Sequence, residues 1–148
     1  MTLLSRYFRA LVAHETALWN AVDRRLAQSG ALRLGRLEFL RVVTENGSAR
    51  VQDVAEALGI TVGAASRLTD RLVADGLVQR EAHPSDRRSS LIQLSASGRA
   101  AFVSSTAAFD AAIAELLGSV DEETVLGTLD GLERIDQGVF DKAESEAR

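Results

Sequence analysis

The chain has 148 residues, enough for one domain or for two small modules sharing a core, and its 46% hydrophobic and 26% charged residues suit a globular fold. A single proline and 5% aromatic residues favour helix, and the absence of cysteine excludes a disulfide scaffold, a thiolate metal site and a thiol redox switch. The net charge of −4 argues against a nucleic-acid partner only if the charge is evenly spread.

Residues 3–28 are the first predicted helix. Leu4, Phe8, Leu11, Leu18 and Val22 recur at helical spacing, Leu3, Tyr7, Trp19 and Leu26 widen the stripe, and Ser29-Gly30 ends it. Tyr7 and Trp19 are expected in the core. A second helix runs from about Gly35 to Glu45 with Leu37, Leu40 and Val43 inward, and Asn46-Gly47-Ser48 breaks it. Val51, Val54, Ala55 and Leu58 give a short third helix its apolar face. Gly59 stops this helix, and Ile60 is expected to plug the turn. Thr61 suits a helix N-cap, because its hydroxyl can accept from a free backbone N–H. The helix that follows has Val62, Ala65, Leu68 and Leu72 on one side and Ser66, Arg67, Asp70 and Arg71 on the other. Gly76 ends it as a left-handed position would.

Residues 77–81 and 90–94 read as two short strands, with Ile92 and Leu94 on one face. The loop from Ala82 to Ser89 is too long for a tight hairpin turn and should project. Ser95 is expected to cap a long helix through about Gly118, with Phe102, Phe109, Ile113 and Leu116 inward. Asp121 is expected to cap a last helix, with Val125, Leu129, Leu132, Ile135 and Val139 inward. The tail from Lys142 to Arg148 should fray.

The charge is in fact uneven. Residues 1–49 carry seven arginines against four acids, a net of +3; residues 50–99 carry seven against six, a net of +1; residues 100–148 carry three bases against eleven acids, a net of −8. The acidic part is the C-terminal third, so one end of the fold can face a polyanion while the other faces away. Near the start, Arg6, Arg9, His14 and Glu15 interrupt the apolar residues, so no signal peptide is expected. No unbroken run approaches the roughly 18 apolar residues of a membrane span, and the expected compartment is the cytoplasm.

Two short helices joined by a tight turn and followed by a two-stranded ribbon make a winged helix-turn-helix. A short helix fits the major groove, where base edges differ, and the ribbon reaches the flanking backbone or minor groove. The expected fold class is mainly α with a small β-wing. Residues 33–96 form the winged helix-turn-helix, and residues 1–32 and 97–148 form a helical dimerisation unit. Apolar stripes at both chain ends have little else within one chain to cover them.

The run Leu58-Gly59-Ile60-Thr61-Val62-Gly63-Ala64-Ala65-Ser66-Arg67-Leu68-Thr69-Asp70-Arg71-Leu72 resembles the recognition segment of the MarR family of transcriptional regulators. Pro84-Ser85-Asp86-Arg87-Arg88, followed by Leu94-Ser95-Ala96-Ser97-Gly98, resembles that family's wing and the start of its next helix. The resemblance implies a homodimer on double-stranded DNA with a pseudo-palindromic operator, no cofactor, and repression relieved by a small-molecule effector, often an aromatic acid. It implies DNA-binding roles for Thr61, Gly63, Ser66, Arg67, Arg71, Arg80, Asp86, Arg87 and Arg88. Asp86 and Arg88 shape the wing and bring an arginine to the minor groove. Arg87 faces solvent or phosphate. The planar guanidinium suits such work, forking to a carboxylate, guanine or phosphates. Gly63, Ala64 and Ala65 make the start of the recognition helix small, which shifts weight to DNA shape and to the wing.

Plainer readings compete. Arg67 and Arg71 could simply pair with Asp70 and Asp75 on a solvated helix face, and Asp86-Arg87-Arg88 could be an ordinary polar turn. Phe102, Phe109 and Ile113 read as core or subunit contact rather than a ligand box. His14 and His83 are isolated, so metal binding is not expected. No Gly-rich phosphate loop, nucleophile elbow or metal-ligand cluster supports an enzyme. The remaining alternative is a winged helix used for protein contact or co-regulation without specific DNA binding. Against it stand three arginines on one ribbon, Arg80, Arg87 and Arg88.

Overall fold

The helices and strands follow in the order α1 (Leu3–Gln28), α2 (Leu34–Glu45), α3 (Val51–Leu58), α4 (Val62–Ala74), β1 (Val78–His83), β2 (Asp86–Leu94), α5 (Ala96–Leu117) and α6 (Glu122–Glu146). The computed structural model describes residues 1–83 and 86–146, with backbone only for His83, for residues 86–89 and for residues 140–146. The chain divides into two compact units, 1–112 and 113–148.

Local chemistry sets the helix ends much as the sequence predicts. The Thr61 Oγ1 accepts from the Ala64 N–H at 3.1 Å and caps α4. At the other end Gly76 lies at φ +70°, with the Leu77 N–H on the Leu72 carbonyl at 2.9 Å and the Gly76 N–H on the Val73 carbonyl at 3.0 Å. This is a Schellman closure, which satisfies two orphan carbonyls and needs a left-handed residue. Gly59, at φ +62°, closes α3 in the same way. Ser95 caps α5 by accepting from the Gly98 N–H at 2.9 Å, and Asp121 caps α6 by accepting from the Thr124 N–H at 2.8 Å. Asp23 reaches from α1 to the Leu34 N–H at 2.8 Å and supplies α2 with an N-terminal acceptor.

In the first unit, Phe39, Leu40 and Val43 of α2, Val54 of α3, Leu72 of α4, Val78 of β1, and Ile92 and Leu94 of β2 share one buried core. The predicted inward residues Leu37, Leu40 and Val43 are all buried. Leu32 and Phe102 pack at the edge of this core. The buried Ser105 on α5 accepts from the Leu32 N–H at 3.0 Å. Gly98 is buried where α5 meets the backbone of Leu77.

The structure corrects several expectations. The strands are longer than predicted: β1 and β2 pair from Val78↔Leu94 through Ala82↔Ser90, with an irregularity before His83↔Asp86, and strand backbone takes up much of the expected loop. Its residues are polar and carry no apolar alternation to announce a strand. A third, single-residue partner joins the sheet where Ala49 and Ile92 exchange hydrogen bonds at 3.1 and 2.8 Å. Ile60 is exposed rather than a plug, because its N–H turns back to Ala55 while its side chain stays outside. Val62, expected inward, is 53% exposed, and Thr69 takes a buried place on that face by donating to the Ala65 carbonyl at 2.8 Å. Phe102, Phe109 and Leu116 are half-buried. Trp19 is 42% exposed.

The predicted apolar stripes exist, but much of their length is uncovered in this chain. On α1, Leu4, Phe8 and Leu11 are exposed while Val22 and Leu26 are buried. In the second unit, Val125, Leu129, Ile135 and Val139 of α6, expected inward, are exposed. Helix α6 continues to Glu146, through most of the tail expected to fray; Ala147 and Arg148 lie outside the described residues. Although no unbroken apolar run is long enough, α5 as a whole is long and apolar enough on average to cross a membrane.

Candidate nucleic-acid interface

Helix α4 buries Ala65, Thr69 and Leu72 and turns its other side outward. Arg67, Asp70 and Arg71 are exposed there, and Ser66 is half-buried at the margin. Gly63 lies in the first turn, with open space where a side chain would begin.

The acids of this segment are engaged away from those arginines. Asp70 takes the Arg80 guanidinium of β1, Nη2 to Oδ1 at 2.6 Å. Asp75, at the end of α4, takes Arg36 of α2, Nη2 to Oδ2 at 2.7 Å. Among the described residues, the side chains of Arg67 and Arg71 make no hydrogen bond or ion pair. The plain reading in which they pair with Asp70 and Asp75 is therefore not what the fold adopts. Two guanidinium groups without a partner among the described residues, about one turn apart on an exposed helix face, are suited to an anion with regularly spaced charges.

The ribbon stands beside this helix. Val78 and Arg80 are two residues apart and leave β1 on the same face. Val78 enters the core, and Arg80 reaches Asp70 just beyond it. The backbones of Asp86, Arg87 and Arg88 open β2. Their side chains lie outside the described residues, and with them the expected Asp86–Arg88 pair.

Sequence reasoning missed the partners of Asp70 and Asp75, the Ala49 bridge and the close seat of Gly98. It also missed the surroundings of Arg41, whose guanidinium lies 5.9 Å from the Phe102 ring centre and 5.5 Å from that of Phe109. Glu38 accepts from Arg41 Nε at 3.3 Å. Thr106, between the two phenylalanines on α5, has a buried hydroxyl with no partner among the described residues. Phe102 and Thr106 are the only signal the sequence offered: an aromatic and a hydroxyl one turn apart on the inner face of an apolar helix.

Two short helices around a glycine-closed turn, an exposed basic second helix and a two-stranded ribbon define a winged helix-turn-helix protein. The MarR family model matches residues 32–90. The HTH-type transcriptional regulator YfiV of Bacillus subtilis is 30% identical over 71 residues, 48% of this chain; the match spans less than half of that relative, 44% of its length. Two solved structures share the architecture over 91% of this chain. CouR from Rhodococcus jostii RHA1 bound to p-coumaroyl-CoA is 27% identical, with a TM-score of 0.75 over 94% of its chain. A cysteine-to-serine mutant of MarR from E. coli complexed with operator DNA is 19% identical, with a TM-score of 0.79 over 99% of its chain, a likeness of fold. The chain is thus similar to the MarR family over residues 32–90 and shares the fold of these two structures over most of its length.

Proposed function

We propose that the chain is a homodimeric, sequence-specific DNA-binding transcription regulator of the cytoplasm, a repressor released from its operator by a small aromatic ligand. The observation that carries the DNA reading is the freedom of Arg67 and Arg71 on the outer face of α4, with the nearby acids engaged by Arg80 and Arg36. In this reading α4 enters the major groove. Thr61 and Gly63 bring its first turn close to the DNA, Ser66 and Arg67 face bases or phosphates, and Arg71 holds a phosphate. Arg80 and the wing residues Asp86, Arg87 and Arg88 work on the flanking backbone or minor groove.

Residues 33–96 are the DNA-binding part, and residues 1–32 with 97–148 make the dimer. The uncovered apolar side chains of α1 and α6 support a partner copy, since exposed apolar surface on this scale marks an interaction site. A two-fold dimer presents two recognition helices, so the operator is a pseudo-palindrome with half-sites ~10 bp apart, centre to centre.

The aromatic effector finds support at Arg41. Phe102 and Phe109 offer rings, Arg41 offers a cation, and Thr106 an unused hydroxyl, which together suit an aromatic acid. Coupling is reciprocal, so an effector that weakens DNA binding is itself held less well by the DNA complex. Selection of bound duplexes from a random library tests the proposal. A two-fold consensus is expected. Recovery of no sequence preference would favour the alternative, a winged helix for protein contact or co-regulation.

A further inference from the structure

An acid on a DNA-facing helix is a liability. Phosphates dominate the electrostatics of such an interface, and a carboxylate repels them. Yet Asp70 lies between Ser66 and Arg67 in helical projection at about 3.6 residues per turn, in the middle of the exposed side of α4. Its side chain is 66% exposed, while that of Arg80 is 35% exposed. An ion pair so open to solvent adds little to the stability of the fold, so its consequence is geometric. It crosses from the recognition helix to the wing, fixes where the Arg80 guanidinium sits, and leaves donors of that group beyond the single Nη2–Oδ1 bond without an acceptor among the described residues.

We propose that Asp70 is a positioning residue of the DNA interface, acting through Arg80. It cancels its own repulsion of the DNA by engaging Arg80, and it presents the rest of the Arg80 guanidinium to a phosphate at the junction of the α4 and wing footprints. Asp70 touches no DNA atom in this arrangement. The proposal rests on the reading that α4 and the ribbon bind DNA, and it makes helix and wing one rigid reader.

The test is a double-mutant cycle on the full chain with one selected operator duplex, measured over a salt series, with a thermal melt of every variant. Asp70→Asn removes a negative charge, so plain electrostatics expects tighter binding. The proposal expects the opposite, a loss of roughly fivefold, because Arg80 is released. With Arg80→Ala already in place, Asp70→Asn reverses sign and tightens binding by about twofold, because only an unpartnered acid is then removed. Asp70→Glu, which keeps the charge, restores part of the loss, and the melting temperatures of the Asp70 variants stay close to wild type. Tighter binding by Asp70→Asn in both backgrounds would reduce Asp70 to a bystander acid and overturn the proposal. Equal weakening in both would also overturn it, by showing that Asp70 does not act through Arg80. A wild-type protein that binds no duplex even at low salt would sink the DNA reading itself and the positioning role with it, an outcome distinct from the other two.

Discussion

Replacing Gly98 by alanine should be the most damaging single-methyl change in the first unit. Gly98 is the third residue of α5, and a Cβ built on it overlaps the carbonyl oxygen of Leu77, with the Leu77 carbonyl carbon at 2.8 Å and its Cα at 3.3 Å. Carbon atoms in contact sit about 3.5–4.0 Å apart, so the two backbones must separate by at least about 0.7 Å, and more to clear the oxygen. The obstacle cannot rotate away as a side chain would. The same carbonyl accepts from the Ser95 N–H at 3.0 Å and the Ser95 hydroxyl at 3.1 Å, and the Ser97 hydroxyl holds the neighbouring Gly76 carbonyl at 2.7 Å. Overpacking typically costs about 1–3 kcal/mol, and loosening one of these hydrogen bonds adds about 1 kcal/mol. The expected loss is therefore roughly 2–4 kcal/mol, a fall in Tm on the order of 10 °C for a chain of this length. Urea and thermal unfolding at one fixed protein concentration would measure it, concentration being held because self-association raises apparent stability. A loss below about 1 kcal/mol would refute the reasoning, since it would mean that α5 is not seated on the Leu77 backbone.

Gly63→Ala should separate stability from function. Nothing lies within 4 Å of its added methyl, so calorimetry should show a gain of about 0.5–1 kcal/mol from helix propensity, while DNA affinity falls if the first turn of α4 approaches the duplex closely. Arg67→Ala should cost ~1–3 kcal/mol of binding per half-site, unevenly across mutated operators, whereas Arg71→Ala should weaken all duplexes alike and reduce the salt slope by about two units, one for each protomer. Asp23→Asn tests the α1–α2 connection. The hydrogen bond from Arg33 holds the Asp23 carboxyl below its usual value against partial burial, with help from the Leu34 N–H. A depressed carboxylate stabilises above the unfolded value of about 3.9 and loses that contribution as pH falls through the folded value. The wild-type advantage should thus be present at pH 7, stay below roughly 1 kcal/mol because the Arg33 partner is exposed, and vanish in acid melts. Sedimentation at micromolar concentration should give about twice the 15.9 kDa chain mass; a clean monomer would remove the two-half-site model.

What the sequence made legible was local. Gly59, Gly76, Thr61, Ser95 and Asp121 announce helix ends by their own chemistry, and each holds the predicted post. The basic outer face of α4 was legible because its period is helical. The full ladder of the wing was not, because the sequence around its last pairs, Ala82↔Ser90 and His83↔Asp86, shows no apolar alternation. Nor could spacing reveal that Asp70 meets Arg80, ten positions away, rather than Arg67, three away. That choice follows from the path of β1 beside α4, a tertiary fact. Leu4, Phe8, Val125 and Leu129 mark the opposite failure. Their stripes were visible, but a stripe does not say whether its cover comes from the same chain.

The central claim is that the α4 face and the wing bind DNA through phosphate neutralisation combined with base contacts. Titrating the purified protein with its selected duplex and with a scrambled one, from roughly 50 to 200 mM salt, tests it most directly. A dimer using Arg71 and Arg80 on each half-site neutralises at least four phosphates, so log K should fall linearly with log salt at a slope of about −4 or steeper, with the selected duplex bound more tightly throughout. An affinity that ignores salt, or equal binding of the two duplexes at every salt concentration, would contradict the account.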